Sequence, residues 1–272
     1  MGLPADFVFT QSNLQAFLDC RQLFRLRYLK KISWPAPITD PVLEHERHMQ
    51  RGSIFHHMVQ QLKAGIPLEV IRARINDDEQ ISIWWNNFLH LLPNLHMDCA
   101  QIEIPFVCQL GDWRLMAKVD YLLLESQKCI ILDWKTSPQK PSRLNLARHP
   151  QTRVYCYVLC QAGHLALNSA PISPDQLSMG YWFAEHPDAI EWFEYSPSIM
   201  EDDRKYLLNI FRQINQLSDE EFDQTENLKT CLYCQYRSLC NRGVKAGNIS
   251  GLEAETSGTI DLDMDSIEEI SF

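Results

Sequence analysis

RLMAKVDYLLLESQKCIILDWKT, residues 114–136, sets two apolar, β-prone runs on either side of a polar break at Ser126-Gln127. That pattern predicts a hairpin. A turn centred on the break places Asp120 directly opposite Asp133. Side chains alternate along a strand, so Lys135 shares the face of Asp133. Like charges placed opposite one another destabilise a strand pair, and a cation between the carboxylates removes that conflict. A hard divalent ion such as Mg²⁺ or Mn²⁺ takes oxygen ligands of this kind. The Lys135 ammonium then stands beside the metal, placed to orient a water or offset charge on a phosphate. Two acids alone also suit a half-buried strand pair with solvated carboxylates; the Asp-x-Lys spacing inside IILDWK favours the metal.

The neighbouring sequence extends the pair to a three-stranded meander. Gln101 to Leu110 alternates Ile102, Ile104, Phe106 and Cys108, and Gly111-Asp112 reads as a two-residue turn into the next strand. This register puts Glu103 opposite Asp120, as a further ligand, an outer partner or a solvated face residue. Upstream, Ser12 and Gln15 have capping-box spacing and predict a helix of about 20 residues with a basic far end. Cys20 falls in its middle and by itself reads as a small core residue. A second helix is predicted from Glu44 to Ala64, carrying four histidines. Among these His56 stands out, because Gly52 one turn earlier leaves room for close backbone approach. Pro67 to Leu92 predicts further helix. After Lys135 come Lys140, Arg143 and Arg148, then a helix from about Pro150 to Gly163 with Gln151 and Tyr155 on one face. Strands follow at Leu177–Ala184 and Glu191–Tyr195, and Ser198-x-x-Glu201 predicts the start of a helix to Leu217.

The 272 residues are 45% hydrophobic and 22% charged, ordinary for a globular chain with a sizeable core. No apolar run reaches membrane-span length and the first residues lack a signal peptide's pattern, so a cytoplasmic protein with no membrane partner is expected. Nine cysteines in that setting suggest free thiols or metal ligands. The net charge of −10 argues against a nucleic-acid partner until it is divided. Residues 247–272 hold seven acids and no Lys or Arg, which leaves −3 for residues 1–246. We therefore expect one domain over 1–246 and an acidic, disordered tail over 247–272. Cys231, Cys234 and Cys240 form a C-x2-C-x5-C cluster that calls for a metal. Zinc accepts a fourth Cys or a His, whereas a [4Fe–4S] cluster takes four cysteines; spacing alone leaves both open.

Taken together, these motifs resemble the RecB-like branch of the PD-(D/E)xK nuclease superfamily, especially its iron–sulfur exonucleases, which include a CRISPR-associated family and the AddB nuclease domain. The resemblance runs from about Thr10 to Arg242 and rests on GSIFH (52–56), AKVD (117–120), DWK (133–135), QTRVY (151–155) and the cysteines at 20, 231, 234 and 240. Ala117 stands where the family commonly has Gly. The resemblance implies an α/β, restriction-endonuclease-like mixed sheet flanked by helices. It also implies a [4Fe–4S] cluster on Cys20, Cys231, Cys234 and Cys240 that joins the N-terminal helix to the C-terminal segment, with zinc as the alternative. The implied reaction is Mg²⁺- or Mn²⁺-dependent hydrolysis of DNA, exonucleolytic and on a substrate with a single-stranded end. His56, Asp120, Asp133 and the Trp134 carbonyl would hold the metal, and Lys135 would orient the water. Gln151 and Tyr155, with Arg148 and Arg153, would contact the DNA strand. CRISPR adaptation, recombination and repair, each with protein partners in a DNA-processing complex, are all compatible settings. The rival readings are a non-catalytic DNA clamp and a zinc-stabilised interaction protein.

Overall fold

The 114–136 hairpin forms the middle of the sheet. The computed structural model describes residues 3–34, 40–75, 78–125, 128–167, 169–232 and 234–243. The turn at Ser126-Gln127, most of the proline loop that begins at Trp34, and the tail 247–272 lie outside the described residues. The strands are β1 (Val8–Thr10), β2 (Gln101–Leu110), β3 (Trp113–Leu124), β4 (Cys129–Lys135), β5 (Leu177–Phe183) and β6 (His186–Glu194). They run in the order β1-β3-β4-β5-β6, with β2 also paired to β3. β1 lies parallel to β3 and β5 parallel to β4, while the other pairs are antiparallel. The fold is therefore α/β with a mixed sheet.

Helices cover both faces, as parallel pairs demand. One core gathers Phe9, Phe17, Leu122, Ile131, Tyr155 and Phe211. It lies beneath α1 (Gln11–Asp19), α7 (Pro150–Leu167) and α8 (Pro197–Gln216). The other gathers Phe55, Trp84, Phe88, Tyr121, Trp134 and Trp182, beneath α3 (Asp40–Lys63), α4 (Leu68–Ala73) and α5 (Glu79–Leu91). β3 serves both. Leu115, Ala117 and Val119 join the first core, but Tyr121 and Leu123 join the second. The strand turns its faces over at Asp120, where the two cores meet.

The hairpin register is the expected one, from Tyr121↔Leu132 to Leu124↔Cys129. So is that of β2 on β3, closed by Gly111 at φ 62. Other expectations need correcting. The N-terminal helix is capped by Thr10, whose side chain accepts from the Asn13 N–H, rather than by Ser12. It also breaks at Cys20, whose backbone is extended (φ −164, ψ 114), before resuming as α2 (Arg21–Phe24) and a π-helical turn at Arg25–Leu29. Cys20 thus sits at a break and not in mid-helix. The expected helix over 67–92 divides into α4 and α5. α8 is capped by Ser196 with Pro197 in the first turn, not by Ser198. A short helix, α6 (Arg143–Arg148), occupies what reads as loop, and α9 (Leu228–Cys231) precedes the cysteine cluster.

Candidate active site

Five elements deliver side chains to the point where β3 and β4 part. β3 brings Asp120 and β4 brings Asp133 and Lys135, with exposures of 4%, 1% and 9%. The Trp134 N–H donates to Asp120 Oδ2 at 3.0 Å, so the backbone of one strand fixes the carboxylate of the other. The Trp134 indole is buried in the second core, leaving its main chain as its contribution here.

α7 begins beside these groups. Gln151 in its first turn donates from Nε2 to Asp133 Oδ1 at 2.6 Å and accepts from Lys135 Nζ at 2.7 Å. Lys135 Nζ also lies 2.8 Å from Asp133 Oδ2, an ion pair without hydrogen-bond alignment. Asp133 Oδ2 is therefore a buried carboxylate oxygen with no donor aimed at it. Burial, reinforced by the Asp120 charge, raises the Asp133 carboxyl above the usual range against the pull of Lys135 and His56. An anion in this position favours an added cation.

α3 brings His56 from the opposite face. A Cβ at Gly52 would lie 2.9 Å from Thr136 Oγ1, so the missing side chain is what lets the helix seat against the end of β4. His56 Nδ1 lies 3.0 Å from Glu103 Oε1 and 3.5 Å from Asp120 Oδ1. Burial opposes a charge on this ring, but Asp120 and then Glu103 outweigh it and raise its pKa to about 10. Glu103 has φ 54 near the start of β2, a conformation rare for a residue of its type. Its other oxygen pairs with Lys118 at 2.5 Å. Among the described residues, His56, Glu103 and Asp120 are the one trio of His, Cys, Asp or Glu side chains whose ligand atoms lie within 4.8 Å of one another. An imidazole, hard carboxylate oxygens and the unbonded Asp133 oxygen suit a divalent cation such as Mg²⁺ or Mn²⁺.

The remaining predicted site residues fall in different surroundings. Gln151 and Tyr155 are each only 1% exposed, and Gln151 underpins Asp133 and Lys135 from within. Burial, with Asp133 and Asp120 nearby, keeps the Tyr155 hydroxyl protonated. Arg153 is engaged within the fold. Its Nη1 lies 2.6 Å from buried Asp203 and its guanidinium stacks 4.3 Å from the Tyr206 ring, so it ties α7 to α8. Sequence reasoning missed His149. Its Nδ1 accepts the Gln151 N–H at 3.2 Å, and burial followed by the Lys135 charge lowers its pKa to about 3, leaving a neutral ring. Its place just before Pro150-Gln151 was the available signal.

Away from this site, Cys20, Cys231, Cys234 and Cys240 line one recess with Leu23, Arg237 and Arg242. The break after α1 brings Cys20 to the other three across the length of the chain. All four thiols are free, and no acidic residue lines the recess. Four soft sulfur donors with a cation at hand fit an anionic metal–thiolate centre.

A mixed sheet whose central hairpin carries Asp and Asp-x-Lys, with a His from α3 alongside, forms a candidate divalent-metal site on an α/β scaffold. The chain belongs to the PD-(D/E)XK nuclease superfamily, whose sequence profile matches residues 8–241. Among solved structures, the chain is similar to SSO0001, at 14% identity over 88% of both chains with a TM-score of 0.40. It is also similar to a protein from Eubacterium rectale named as a predicted exonuclease, at 11% identity over 76% of this chain and 80% of that one, with a TM-score of 0.45. No curated protein matches the chain closely enough to count as a relative. Among the described residues no helix is long and apolar enough to cross a membrane.

Proposed function

We propose that the protein is a Mg²⁺- or Mn²⁺-dependent deoxyribonuclease that digests DNA exonucleolytically from a single-stranded end. The observation that carries this reading is Asp133, whose Oδ2 is buried without a hydrogen-bond donor beside Lys135 and across from Asp120. His56, Asp120, Asp133 and the Trp134 carbonyl would hold the divalent ion, with Glu103 as a fifth ligand or as the partner that orients the His56 ring. When bound, the ion supplies Lewis-acid polarisation of the scissile phosphate and a lowered pKa for the attacking water. Gln151 fixes Lys135 Nζ and Asp133 in one geometry, which sets the direction of the lysine N–H bonds before substrate arrives. Lys135 then orients the attacking water and offsets the charge that develops on the phosphate oxygens. Exposed Arg148 supplies a cation for the backbone of the incoming strand, a salt-sensitive contribution, while Lys140 and Arg143 share Glu191 as partner.

The four cysteines are read as ligands of a [4Fe–4S] cluster. Their shared recess supports one centre held by all four thiolates. Residues 1–246 are read as the nuclease domain, with 247–272 as an appendage dispensable for chemistry. Incubation of end-labelled single- and double-stranded DNA with Mn²⁺ tests the proposal. Stepwise shortening of the single-stranded substrate is expected, with none in EDTA. Intact substrate under all conditions would favour the rival reading, a DNA clamp that has lost catalysis.

A further inference from the structure

Arg242 closes the rim of the four-cysteine recess. The residues on either side of it are left-handed, Asn241 at φ 58 and Gly243 at φ 87, and reverse the chain directly after Cys240. The Arg242 N–H donates to the Arg237 carbonyl at 2.8 Å, which closes the turn. The side chain is thereby laid against residues 224 and 225. Nε donates to Gln224 Oε1 at 3.0 Å and Nη2 to the Thr225 carbonyl at 3.3 Å. Both acceptors are neutral, and among the described residues no carboxylate pairs with this guanidinium. The charge is held in place without being cancelled. The guanidinium lines the recess beside the four cysteines, and buried Arg237 lines it as well.

An iron–sulfur core on four thiolates is a net anion and becomes more negative on reduction, so nearby positive charge favours its reduced form. The same charge resists dissociation of the thiolate centre. We propose that Arg242 is the resident counter-cation of the four-cysteine centre, set by the Asn241 turn so that it raises the reduction potential and slows metal release. This rests on reading the four cysteines as metal ligands. The left-handed Asn241 then has a purpose that its place between Cys240 and Arg242 would not otherwise suggest.

The test uses the full chain, purified anaerobically with its metal, as wild type, Arg242→Gln and Arg242→Lys. Arg242 is exposed, so both variants are expected to fold, and circular dichroism checks this. Midpoint potentials come from redox titration followed by electron paramagnetic resonance, and metal release from transfer to a chelator. Arg242→Gln is expected to shift the midpoint to more negative potential and to lose iron several-fold faster, with Arg242→Lys restoring most of both. Wild-type potential and wild-type release in Arg242→Gln would overturn the assignment. A colourless wild type that carries zinc is a failure of the iron–sulfur reading and is visible before any variant is made. Chelator release then decides alone: faster zinc loss from Gln than from Lys supports Arg242, and equal rates overturn it. A wild type that binds neither metal overturns both readings.

Discussion

His56 and Asp133 respond to protons in the same direction, which gives the metal site a pH signature. In the metal-free protein the folded pKa of His56 is raised from 6.5 to about 10. Its contribution to stability is therefore complete below about pH 6.5 and is lost as pH rises toward 10. Asp133 is raised as well, so the folded state again holds the extra proton and again loses stability as pH climbs. We predict that in EDTA the melting temperature falls between pH 6.5 and 10, and that His56→Gln flattens most of the fall. A flat wild-type profile would remove His56 from the coupled set. A metal needs the neutral imidazole and the ionised carboxylate, so Mn²⁺ binding should release protons. Calorimetry in two buffers of different ionisation enthalpy measures that release, and zero release contradicts the ligand set. The alternation of β3 and β4 made Asp120, Asp133 and Lys135 readable together in the sequence. The φ of 54 at Glu103 was not readable, because no local pattern asks a glutamate to adopt it. Nor was the Arg153–Asp203 pair, whose partners are brought together only by helix packing.

At the scale of elements, the site depends on how α3 and α7 seat against the sheet. Gly52 is the contact point for α3, and its replacement sets two effects in opposition. Alanine favours helix over glycine by about 1 kcal/mol, but its Cβ would meet Thr136 Oγ1 at 2.9 Å. Gly52→Ala is predicted to keep or slightly raise the melting temperature while cutting cleavage about 10- to 100-fold through displacement of His56. Pairing it with Thr136→Ser, which keeps the oxygen but frees its rotamer, should recover part of the rate. Full activity in Gly52→Ala would mean that α3 has slack to spare. α7 is held from behind by Asp203, which accepts from Arg153 and from Tyr195 at 3.1 Å. Asp203→Ala strands a largely buried guanidinium and should cost roughly 2–4 kcal/mol in urea unfolding; a loss under about 0.5 kcal/mol would show the link to be incidental. The helices themselves were legible from apolar periodicity, but their starts were not. Ser12 and Ser198 have the right spacing for caps, yet Thr10 and Ser196, two residues earlier, are better placed because strand or extended chain ends there. The break at Cys20 had no Gly or Pro to announce it.

For the whole molecule, the four-cysteine recess connects the beginning of the described chain to its end. A cofactor shared by Cys20 and Cys231 closes a loop of over two hundred residues, which restricts the unfolded chain and stabilises the folded one. Cys20→Ser is therefore predicted to behave like Cys234→Ser, with lower iron content, a lower melting temperature and proteolysis at both ends. Cys99→Ser, at an exposed position outside the recess, should keep wild-type iron. Equal iron in Cys20→Ser and wild type would place the fourth ligand elsewhere. The C-x2-C-x5-C spacing made three of the recess cysteines legible as candidate ligands. The fourth needed a family resemblance, because nothing near Cys20 in the sequence distinguishes it from a core thiol.

The central claim is that the buried Asp133–Lys135 pair performs metal-dependent DNA hydrolysis, and it is tested most directly by comparing wild type with Asp133→Asn and Lys135→Met on end-labelled single-stranded DNA with Mn²⁺. Each variant is nearly isosteric, so circular dichroism and colour should match wild type. The account predicts cleavage by wild type that EDTA abolishes, and a loss of roughly 10²-fold or more in both variants. Wild-type cleavage rates in the two folded variants would contradict it.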